Sequence, residues 1–125
     1  MKIRIKGNTI RFRLTKPEVD FFARENYIEE KTDFSKNSFG YALKVKEHGQ
    51  NLTSEFLNGI ITMFIPAHLA KEWTTTEKTG YESEVEIGNG KKLFLLLEKD
   101  FKCLDTVVED QSDQYENPIV LKSKQ

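Results

Sequence analysis

A chain of 125 residues that is 38% hydrophobic and carries nine Phe can bury one core without disulfide or metal staples. Its 19 Lys and Arg nearly cancel 20 Asp and Glu, which argues against bulk attraction to DNA or anionic lipid and leaves a local patch to serve either. A single cysteine, Cys103, and two histidines rule out a disulfide framework and a zinc site.

Residues 2–14 alternate. Ile3, Ile5, Ile10, Phe12 and Leu14 fall on one face, and Lys2, Arg4, Lys6, Arg11 and Arg13 on the other. Gly7-Asn8 between them reads as a two-residue hairpin turn, because glycine supplies the positive φ that such turns need. That register sets Arg4 opposite Arg11 and Lys2 opposite Arg13. Like charges across a ladder are destabilising, so an acidic strand or an anionic ligand is expected beside them.

Thr15, Pro17 and Glu18 start a helix as cap, first-turn proline and capping-box acid. Val19, Phe22 and Ala23 share its inner face, and it ends near Asn26. Residues 28–34 alternate again, with Ile28, Thr32 and Phe34 on one side. Residues 39–45 return as a strand in which Gly40 suggests a bulge.

The plan then restarts. Residues 52–57 and 60–65 flank Asn58-Gly59, a strong hairpin signal. Pro66 opens a second helix whose Leu69, Ala70 and Trp73 face inward. Residues 81–87 place Tyr81, Ser83, Val85 and Ile87 inward and Glu82, Glu84 and Glu86 outward. Gly88-Asn89-Gly90 turns the chain into a last strand over 92–101.

The fold class expected is mainly β (α+β): a pseudo-two-fold barrel of two interlocked ββαββ repeats, residues 1–48 and 50–104, with two short helices. Residues 1–104 form the single domain. Residues 105–125 read as an acidic C-terminal tail, in which 118–121 could dock as a late strand.

The second half is similar to the AbrB/MazE swapped-hairpin family, through Ile65-Pro66, the following AHLAKEW, and TEKTGYESEVEI. In the first half Leu14-Thr15 stands for the Ile-Pro step. The resemblance implies two units interlocked into a barrel, and DNA binding as in many members. Most of the chain also resembles a family of small uncharacterised bacterial proteins, through MKIRIKGNTIRFRLTKPEV, FGYALKV, LEKDFKCL, and Asn117-Pro118 after an acidic stretch. That likeness implies a bacterial cytoplasmic protein and assigns no activity.

The cationic face of the first hairpin is the sharpest feature. Lys2, Arg4, Lys6, Arg11 and Arg13 could grip phosphates of a nucleic acid or another anionic ligand. Alternatively, Glu82, Glu84 and Glu86, or Glu29, Glu30 and Asp33, neutralise them. Glu82, Glu84 and Glu86 point one way from one strand, resembling the metal-holding acids of tunnel-type triphosphate hydrolases, although that signature has Lys where Glu86 stands. His68 and His48 lack a partner acid or nucleophile and are expected at the surface. Cys103 reads as a half-buried, inert thiol, and Trp73 as core or interface.

No nucleotide-binding, hydrolase or zinc-protease motif is present, so no cofactor is implied. Nor is there an apolar leader or membrane-length run, which fits a cytoplasmic protein without a membrane partner. The leading reading is a non-enzymatic binding or regulatory protein, monomer or homodimer, with its site on the basic hairpin. An AbrB-like nucleic-acid-binding regulator and a divalent-metal phosphohydrolase are the alternatives.

Overall fold

The first hairpin forms as its alternation requires. In the computed structural model, which describes residues 1–101, β1 (Lys2–Lys6) and β2 (Thr9–Leu14) are antiparallel, with Arg4 opposite Arg11 and Lys2 opposite Arg13. Gly7 has φ +54°, the turn conformation that a residue with a Cβ rarely adopts. The chain enters α1 (Lys16–Glu25), where the Thr15 N–H donates to Glu18 Oε1 at 2.8 Å. Asn26 closes the helix in the left-handed conformation, its N–H donating to Phe22 O. Val19 and Phe22 are buried, while Ala23, expected with them, is exposed.

β3 (Tyr27–Asp33) and β4 (Ser38–Lys46) make a second antiparallel hairpin, and β5 (Thr53–Leu57) with β6 (Ile60–Pro66) a third. Pro66 caps α2 (Ala67–Thr75), which buries Ala70 and Trp73. β7 (Gly80–Gly88) and β8 (Lys91–Lys99) are the fourth hairpin. Gly40 sits in unbroken register, and among the described residues the ladder irregularity falls between Glu86 and Gly88, beside the turn.

The hairpins assemble across the chain. One sheet runs β1-β2-β8-β7 and the other β3-β4-β6-β5. The joints, β2 with β8 and β4 with β6, are parallel. Each sheet therefore takes one hairpin from each half of the sequence. The inner faces share one core, built on Phe12, Leu14, Leu95 and Leu97 from the first sheet and Leu43, Met63 and Ile65 from the second. Phe12 meets Tyr41 across the gap at 5.6 Å between ring centroids. The helices close one end, with the rings of Phe22 and Trp73 6.3 Å apart.

The closed barrel expected above is not formed. Among the described residues, no ladder joins the outer strands β1 and β7 to β3 and β5. The strands left at the edges carry charges that blunt them: Lys2, Arg4 and Lys6 on β1, Glu82, Glu84 and Glu86 on β7, and Glu29, Lys31 and Asp33 on β3. Ile5, Phe34 and Ile87 continue the apolar side of their alternating runs but are 52%, 62% and 51% exposed. They lie where the strands run out into turns, at the end opposite the helices.

Candidate functional site

The outer face of the first sheet is assembled row by row from four strands. One row reads Arg4, Arg11, Leu96, Glu82 from β1 across to β7. The next reads Lys6, Thr9, Phe94, Glu84, and the one on the other side Lys2, Arg13, Glu98, Gly80. Pairing partners point the same way, so these side chains share one surface. It is basic over β1 and β2, apolar at Leu96 and Phe94, and acidic along β7.

This placement separates residues that the sequence suggested together. Strand β8 lies between the cations and Glu82, Glu84 and Glu86, and neither that trio nor Glu29, Glu30 and Asp33 pairs with the basic face. Among the described residues, the acids that do so are Glu98 and Asp100. Arg11 Nε is 3.0 Å and Arg13 Nε 3.8 Å from Glu98 Oε1, and Lys2 Nζ is 3.2 Å from Asp100 Oδ2. Glu98 Oε1 is buried but accepts no well-directed hydrogen bond, so it neutralises charge without satisfying its lone pairs. Sequence reasoning missed both acids, although the signal existed. Leu95 and Leu97 are inward, so alternation turns Glu98 outward. What the alternation lacks is the parallel joint that brings β8 against β2.

Of the five cations, Arg4 and Lys6 are exposed and have no ion pair among the described residues. Lys2, Arg4, Arg11 and Arg13, with Ile3, line an open cleft of about 200 Å³. Among the described residues, two acids set against five cations leave this corner of the face positive. The cleft can seat a small anionic group such as one phosphate, with Arg4 and Arg11 offering planar donor forks from adjacent strands.

Glu82, Glu84 and Glu86 are exposed, and Glu84 Oε2 is 3.3 Å from Lys92 Nζ. Among the described residues, no group of three or more His, Cys, Asp or Glu side chains is placed to hold a metal ion. Alternate positions on a strand stand about 6.6 Å apart, so the three carboxylates do not converge. The divalent-metal geometry is therefore not carried by these residues. His48 and His68 are exposed. Trp73 is fully buried, its indole N–H donating to Thr79 O at 3.0 Å. Cys103 and the acidic tail expected over 105–125 lie outside the described residues. β8 ends at Lys99, two residues short of the expected end at 101, and Asp100 and Phe101 are not part of the strand. Among the described residues no helix is long and apolar enough to cross a membrane.

The model of a family of unknown function, DUF7009, matches residues 1–119, and the chain belongs to that family. No curated protein and no solved structure matches the chain.

Proposed function

We propose that this member of the family is a non-enzymatic binding protein whose ligand site is the outer face of the β1–β2 hairpin, where it takes an anionic group. The observation that carries the reading is the uncompensated charge. Arg4 and Lys6 stand exposed and unpaired among the described residues, and Arg4 lies directly across from Arg11. Holding like charges side by side is costly, and a bound anion relieves that cost. A labelled single-stranded oligonucleotide is a suitable probe polyanion. The site should bind it at low salt, with log K falling against log salt at a slope of roughly −1.4 if Arg4 and Lys6 each neutralise one phosphate of the single strand. Arg4→Ala with Lys6→Ala should weaken binding at least tenfold. No binding at low salt, or binding indifferent to that pair, overturns the reading.

The same proposal takes residues 1–104 as one domain of two ββαββ copies, residues 1–48 and 50–104, in a cytoplasmic setting. Matched contacts support the duplication. Phe94 N–H donates to Asn8 O at 2.8 Å, and in the other half Gly40 N–H donates to Gly59 O at 2.9 Å. Val45 N–H donates to Asn26 O at 3.1 Å, as Lys99 N–H does to Thr79 O at 2.9 Å. Interleaved hairpins of this kind are what the AbrB/MazE resemblance implies, and they favour nucleic acid as the second reading of the anionic ligand. Duplex and single-stranded probes of equal charge separate the two. A preference for duplex supports the regulator, and equal affinity supports a general anion site.

A further inference from the structure

The outer face of the first sheet is not only basic at one edge. It is acidic at the other, apolar between, and ordered in rows. Such a surface complements itself. Consider a two-fold axis lying against the face, parallel to the strands and midway between β2 and β8. It places β1 of one copy over β7 of the other and β2 over β8, and leaves every row at its own height. Arg4 then faces Glu82 of the second copy, Lys6 faces Glu84, and Arg13 faces Glu98, with each contact repeated by symmetry. The apolar side chains of β8 fall near the axis. No like-charged pair is opposed in these three rows.

We infer that a second copy of this chain is a partner of this face, the two stacking outer sheet to outer sheet as an isologous dimer. The inference rests on reading this face as the recognition surface, and names what it recognises besides a free anion. Charge complementarity chooses this occupant. A partner that is wholly acidic would meet β7 with like charge, and a wholly basic one would meet β1. A copy turned by the two-fold meets both correctly. The face spans roughly 19 Å by 17 Å, from strand spacing and rise. That is roughly 320 Å² of flat surface, well below the ~800 Å² per partner of a stable interface. The pair is accordingly weak, electrostatic and sensitive to salt, and an anion seated at Arg4 competes with it.

Sedimentation equilibrium of the full chain tests this, at protein concentrations up to about 1 mM and at low salt, then at about 1 M salt, where the Debye length falls to roughly 3 Å. The wild type should be dimeric in the first condition and monomeric in the second. Arg4→Glu with Lys6→Glu should be monomeric, and so should Glu82→Lys with Glu84→Lys. An equimolar mixture of the two variants should form a heterodimer, since each then meets opposite charge in both halves of the contact. Recovery in the mixture also shows that each variant is folded. A wild type that stays monomeric throughout overturns the inference, as does a dimer that both variants preserve or a mixture that fails to pair.

Oligonucleotide binding separates this result from the anion-site reading. Glu82→Lys with Glu84→Lys should abolish the dimer and keep the probe bound. Loss of the dimer in wild type with probe binding intact sinks only the pairing. Loss of probe binding with the dimer intact sinks only the anion site.

Discussion

Glu18 does two jobs. Its Oε1 takes the Thr15 N–H, and its Oε2 takes the α-ammonium of Met1, which also reaches Glu30 at 2.9 Å. Burial alone would raise the Glu18 carboxyl, but the ammonium and Thr15 overcome it and hold the group below its usual 4.5. Burial alone would lower the Met1 amine, but Glu18 and Glu30 overcome it and hold it above 8.0. Glu30, nearly half exposed, adds less because water screens it. The signs give a window. Stability from Glu18 is complete above 4.5 and is lost as pH falls through its lowered folded value. Stability from the amine is complete below 8.0 and is lost as pH rises through its raised value. Glu18→Gln should cost roughly 1–3 kcal/mol inside that window and flatten both flanks, as read by urea unfolding across pH. The capping role of Glu18 was legible from its spacing to Thr15. Its ion pair was not, because local pattern says nothing about which distant group comes to rest beside it.

Each helix and hairpin obeys its own local signals, and the energetic weight lies where they meet. Phe22 and Trp73 bring α1 and α2 together at one end of both sheets, each ring fully or almost fully buried. Trp73→Ala should cost about 3–5 kcal/mol in chemical denaturation, from lost transfer energy and the cavity left behind. Gly80 opens β7 with its backbone pressed on β8. A Cβ there would stand 1.9 Å from Leu97 O, a backbone atom that cannot swing aside. Gly80→Ala should therefore cost about 2–3 kcal/mol and lower the denaturation midpoint, whereas an unchanged midpoint would mean that the strand pair can spread. Turn residues and alternation announced all four hairpins, with ends correct to within a residue or two. Ile5, Phe34 and Ile87 show the limit of alternation. It reports the side of the strand a residue is on, and not whether the opposing sheet extends far enough to cover it.

At the scale of the molecule, no hairpin belongs wholly to its own half. The parallel joints β2–β8 and β4–β6 tie the beginning of the chain to its end and its middle to itself. Separate fragments 1–49 and 50–125 should each show little cooperative structure, and mixing them should restore a single unfolding transition followed by circular dichroism. Two fragments that fold independently would refute the interleaving. Order of elements and polarity of faces were readable from the residues alone. The joints were not, since parallel pairing between distant strands leaves no local mark, and with them went the identity of Glu98 and Asp100 as the acids beside the basic hairpin. The near-zero net charge also hid a face whose charges are segregated instead of mixed.

The functional claim is that this segregated face captures an anion at Arg4. Titrating inorganic pyrophosphate into ¹⁵N-labelled protein, followed residue by residue by NMR, tests it most directly. Shifts confined to β1, β2 and the neighbourhood of Glu98, and abolished by Arg4→Ala, are the predicted result. Shifts that are absent, that gather on the β3-β4-β6-β5 sheet, or that survive Arg4→Ala would contradict it.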